Sequence, residues 1–87
     1  MTSHTPLPVK GYVAQSDQAI SLVNENKEIE ERLLRRIESL QQLGQDGDGR
    51  EVDRRWLAIA KTHIEEGFMA LNRAIFQPQR AKLPEDQ

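Results

Sequence analysis

A six-residue segment near the middle of the chain, Gly44-Gln45-Asp46-Gly47-Asp48-Gly49, leaves few architectures open. Its glycines supply left-handed conformations and its aspartates favour turns, so it ends whatever precedes it and reverses the chain. A long stretch with helical character lies on either side. Neither glycine nor proline occurs from Asp17 to Leu43. Ile20, Val23, Ile29, Leu33, Ile37 and Leu40, widened by Leu22, Leu34 and Leu43, recur at helical spacing once Asn26 and Lys27 are allowed to interrupt the stripe. Ser16 offers an N-cap, and Asp17 places a carboxylate in the first turn, where it complements the helix dipole.

The second stretch begins at Asp53, an N-cap or first-turn carboxylate, and runs to Phe76 before Pro78 stops it. Its stripe is Leu57, Ala60, Ile64, Phe68, Leu71 and Ile75. Trp56, Ile59, Met69 and Phe76 fall off that stripe, which gives the helix more apolar surface than one antiparallel neighbour covers. Gly67 inside this helix costs about 1 kcal/mol relative to alanine and marks an expected crossing point with another backbone or a ligand.

These features predict an all-α fold in one domain spanning 1–87: an extended N-terminal arm over 1–15, a helix over 16–43, a loop over 44–52, a helix over 53–76 and a loose polar tail over 77–87. The two long antiparallel helices form an αα-hairpin. A chain of 87 residues buries little on its own, and with 37% hydrophobic and 30% charged residues it reads as helices that associate along apolar seams. The expected endpoint is a homo-oligomeric helical bundle.

Composition narrows the function. The absence of cysteine excludes disulfides and thiolate metal sites and fits a cytoplasmic location. No stretch approaches the roughly 18 apolar residues of a membrane span, and the N-terminus carries no export signal. Twelve basic and 14 acidic residues are interleaved to a net charge of −2, which argues against a nucleic-acid polymer as partner while leaving room for a local cationic pocket. The Asp46-Gly47-Asp48-Gly49 run is a turn: counted as a calcium loop it puts Glu51 where glycine is required. His63 and Glu66 share a helical turn, but two ligands make no metal site. No nucleophile–base triad and no phosphate-cradling glycine loop is present, so no catalytic residue and no cofactor is expected.

Some residues stand out against this background. Tyr12, the only tyrosine, lies in the arm where no core position demands it. It can anchor the arm on the helices or offer an aromatic platform to a base, a contact worth about 1–3 kcal/mol. Lys27 sits where the first stripe lapses and can be merely solvated or can neutralise a phosphate as a point charge. Arg54 and Arg55 oppose the dipole at the start of the second helix, so acidic partners are expected for them. Lys61, Thr62, Asn72 and Arg73 are polar positions on or beside the second stripe.

Three segments carry a resemblance: Asn26-Lys27-Glu28-Ile29-Glu30-Glu31-Arg32-Leu33-Leu34-Arg35, Arg55-Trp56-Leu57-Ala58-Ile59-Ala60-Lys61-Thr62-His63-Ile64, and Gly67-Phe68-Met69-Ala70-Leu71-Asn72-Arg73-Ala74-Ile75-Phe76-Gln77-Pro78. Together they resemble the anti-CBASS sponge proteins of tailed phages over nearly the whole chain. The resemblance implies a homohexamer that sequesters cyclic dinucleotides and trinucleotides in the host cytoplasm and leaves them intact. It implies further that Tyr12 stacks on a base and Lys27 meets a phosphate of a cyclic dinucleotide. A separate cyclic-trinucleotide pocket carries over to Arg55, Thr62 and Arg73. The competing reading is a helical oligomeric module that blocks a host protein without any small ligand. Lys27 lies roughly 16 Å down the helix from Ser16, whereas the chain from Tyr12 to Ser16 spans at most about 14 Å, so either the arm folds back or the two residues come from different subunits.

Overall fold

The computed structural model describes residues 9–46 and 52–86, apart from the side chains of 44–46. Two helices pack as a hairpin: α1 spans Asp17–Asp46 and α2 spans Arg54–Phe76. Their ends are written locally. The Ser16 hydroxyl accepts a hydrogen bond from the Ala19 N–H (3.1 Å) and opens α1. The Asp53 carboxylate accepts from the Trp56 N–H (3.0 Å) and opens α2. Gln77 closes α2 in a left-handed conformation (φ 47°, ψ 57°), its N–H donating to the Arg73 carbonyl (2.7 Å).

In α1 the helix outlasts the expected stop, passing through Gly44 to Asp46. A glycine costs a helix about 1 kcal/mol without forbidding it, and no proline follows to block the next turn. The remainder of the expected loop, 47–51, lies outside the described residues.

The seam between the helices differs from the expected stripe. Val23, Ile37 and Leu57 are buried, flanked by half-buried Ile20, Leu34 and Leu40 on α1 and Ile64, Phe68 and Ile75 on α2. Ile29 and Leu33 instead face outward at 51% and 38% exposure, and Asn26 and Glu30 take inward positions. On α2 Leu71 is exposed and its neighbour Asn72 turns in. The reason is a polar clip: Asn26 Nδ2 donates to Asn72 Oδ1 at 3.0 Å. A single polar pair in an apolar seam fixes the register of the two helices. Gly67 marks no crossing within the chain, because a side chain there would meet open space.

The tail is joined to the arm at one point. Gln79 N–H donates to the Gly11 carbonyl (2.8 Å), tying tail to arm, and the tail ends in a short 3-10 turn, Pro84–Asp86, where the Asp86 carboxylate accepts from the Leu83 N–H (2.9 Å). Among the described residues no helix is long and apolar enough to cross a membrane. The radius of gyration is 18.6 Å, far above the roughly 12 Å of a compact globule of this length. One chain is therefore elongated and flat, 62 × 35 × 17 Å, with little interior.

Candidate functional site

The site is assembled at the end of the hairpin where the arm meets the last turn of α2. Tyr12 N–H donates to the Val9 carbonyl (3.1 Å), closing a turn around Gly11, whose φ of +82° suits a residue without Cβ. Past the turn, Gln15 Nε2 donates to the carbonyls of Val13 (2.8 Å) and Phe76 (3.0 Å). The Phe76 carbonyl belongs to the last turn of α2, where carbonyls lack helical partners, so the glutamine satisfies it and fastens the arm at once.

Fastened this way, Tyr12 is 42% exposed and lines a cavity of about 350 Å³ with Val13, Gln15, Ile20, Asn72, Arg73, Phe76 and Pro78. A second, shallower depression of about 560 Å³ adjoins it, lined by Val23, Lys27, Glu66, Met69, Ala70, Asn72, Arg73 and Phe76. Asn72, Arg73 and Phe76 belong to both, so Tyr12 and Lys27 flank a common wall. The arm is fastened to the end of α2 and to the tail, and one chain places Tyr12 and Lys27 in adjoining depressions.

The electrostatics favour an anion without being uniform. Neither Lys27 nor Arg73 takes part in an ion pair among the described residues. Glu66 stands at the rim of the Lys27 depression, 3.6 Å from His63 Nδ1. Farther along α1, Arg35 Nε donates to Glu31 Oε2 at 2.8 Å, and that hydrogen bond with the Glu31 charge raises the Arg35 pKa. Arg35 is thus matched by a carboxylate, whereas Lys27 and Arg73 can meet a ligand. A ring face, two cations, an amide and apolar walls suit a molecule that joins planar bases to phosphates, and both volumes fall within the usual range for small-molecule sites.

Arg55 and Thr62 lie elsewhere. The Arg55 guanidinium sits over the Trp56 ring, 5.4 Å from its centroid, in place of the expected acidic partner, and the Thr62 hydroxyl donates to the Ala58 carbonyl (3.2 Å). They precede Arg73 on α2 by about 27 Å and 16 Å of helix. A single chain therefore does not gather Arg55, Thr62 and Arg73. Among the described residues no group of three or more His, Asp or Glu could hold a metal ion.

Sequence reasoning passed over Gln15, Phe76 and Pro78 as parts of the site. Asn26 carried a readable signal, a polar residue where the first stripe lapses, whereas Asn72 was masked by Leu71, which continues the second stripe without a break. Gln15 carried none, because its partner Phe76 is 61 residues away. Residues 5–76 match the family described as Acb2/Tad1, hairpin domain. No curated protein and no solved structure matches the chain.

Proposed function

Because the chain belongs to the Acb2/Tad1 hairpin family, phage anti-CBASS and anti-Thoeris sponges that bind cyclic nucleotides without catalysis, we propose that its ligands are cyclic dinucleotides and, at a separate site, cyclic trinucleotides. Sequestering them in the cytoplasm of the infected host keeps CBASS effectors inactive. Tyr12 stacks on a base and Lys27 neutralises a phosphate. The observation that carries this reading is the common wall of Asn72, Arg73 and Phe76 between those two residues.

A cyclic dinucleotide has two bases, two phosphates and near-twofold symmetry, so two subunits can present equivalent halves of a pocket to it. Assembly into a homo-oligomer, a hexamer in this reading, is supported by the apolar side chains one chain leaves uncovered: Leu22, Ile29 and Leu33 on α1, and Trp56, Met69 and Leu71 on α2. A trinucleotide site drawing on Arg55, Thr62 and Arg73 needs several subunits, since one chain spreads them along α2.

Calorimetric titration with a panel of cyclic dinucleotides and trinucleotides tests the proposal. Binding is expected, and the ligand is expected back intact after the protein is denatured. Tyr12→Ala and Lys27→Ala should each weaken dinucleotide binding by about fivefold to a hundredfold at unchanged helicity, the range set by one stacking or one charge-assisted contact. Absence of heat from every ligand would instead favour a module that blocks a host protein.

A further inference from the structure

The matched family region ends at Phe76, yet the segment beyond it is bound to the arm that carries Tyr12. Gln77 takes the left-handed conformation that ends α2. Pro78 then forms part of the wall of the Tyr12 cavity, and the Gln79 N–H reaches the Gly11 carbonyl at 2.8 Å. The approach is closer than a side chain permits: a Cβ on Gly11 would collide with the Gln79 carbonyl, and the φ of +82° is itself one that L side chains rarely adopt. Among the described residues no hydrogen bond holds the Tyr12 hydroxyl. The position of the ring is set by the backbone on either side of it, through the Gly11–Gln79 bond before and the Gln15–Phe76 bond after.

We propose that the C-terminal tail positions the binding platform, with the Gln79 N–H acting through Gly11 to hold the Tyr12 ring beside Arg73 and Phe76 before any ligand arrives. Gln79 is a positioning residue, and its role rests on the reading of Tyr12 as a base-stacking group. An untethered arm visits the competent geometry for only a fraction of the time, and the apparent dissociation constant rises by the inverse of that fraction. The tail thereby raises affinity without touching the ligand.

The test uses the full chain, with cyclic GMP–AMP as probe. Gln79→Pro removes the N–H donor, Gln79→Ala keeps it and discards only the side chain, and Gly11→Ala forces the two backbones apart. Q79P and G11A should weaken binding by about threefold to tenfold, the equivalent of one lost hydrogen bond, and Q79A should match the parent protein. Two readouts need no ligand. Fluorotyrosine at the sole tyrosine should give a ¹⁹F resonance that moves toward the value of a disordered arm in Q79P and G11A. Trypsin should cut faster after Lys10 in the same two variants, with helicity unchanged in all three. Parent-like protection from trypsin in Q79P would refute the tether, and parent-like affinity in Q79P despite a loosened arm would refute its role in binding. A loss in Q79A equal to that in Q79P would transfer the effect to the side chain and overturn the assignment to the N–H. A parent protein that binds neither this probe nor any other cyclic nucleotide would overturn the functional reading and this role together.

Discussion

At the end of the hairpin where arm and tail meet, hydrogen bonds between residues distant in sequence hold the structure: Gln79 to Gly11, Gln15 to Phe76 and, a few turns in, Asn26 to Asn72. Toward the other end the helices are held by Ile37 and Leu57, while Leu43 and Trp56 stand 53% and 62% exposed. Directional bonds place atoms and suit recognition. Apolar surface is indifferent to small displacements and suits association. Under the proposed function, ligand capture belongs to the first end, while the second contributes apolar burial to stability and no contact to the dinucleotide.

The sharpest way to break this division is at Leu57, the one buried residue of α2. Leu57→Ala is expected to cost about 2–3 kcal/mol in denaturant unfolding, near the lower part of the range for such truncations because the site is narrow and can partly collapse. Under conditions where the variant remains folded and assembled, its affinity for cyclic nucleotides should equal that of the parent. A fall in affinity without a fall in stability would invert the assignment of the two ends.

A middling effect is expected at the polar clip. Asn72→Leu leaves the half-buried Asn26 amide without its partner and should cost about 1–2 kcal/mol, whereas the double variant N26L/N72L should recover most of that loss. A double-mutant cycle in urea measures the difference. Binding should stay weakened in the double variant, because Asn72 lines both depressions, and full recovery of both properties would reduce the clip to a stability device. The smallest effect is expected at the far end, where Asp53→Ala removes the N-cap of α2. It should lower the urea midpoint by the equivalent of about 1 kcal/mol and leave the titration unchanged.

What the sequence disclosed and what it hid divide along the same line. The start of α1 at Ser16 and both ends of α2 were readable because caps and breakers act over three or four residues, and Asp53 and Pro78 each do their work locally, whereas the left-handed Gln77 that closes α2 had no signal in residue type. The seam was harder. Two apolar faces run along α1, and periodicity alone could not tell that Ile29 and Leu33 belong to the outer one while Asn26 belongs to the inner. Tyr12 and Lys27 stood out because neither fits a core pattern, but their common wall depends on the register that Asn26 and Asn72 set. The tail looked free for a different reason: the Gly11–Gln79 bond is made by backbone atoms, which leave no trace in residue type beyond one glycine.

That backbone bond also changes the topology of the hairpin. The hairpin is joined covalently where α1 gives way to α2 and joined again, noncovalently, where Gly11 meets Gln79, so the two helices form the long sides of a closed circuit. A hairpin pinned at one end can scissor open about its turn. A circuit cannot, and widening the gap between its sides requires that the weaker junction break first.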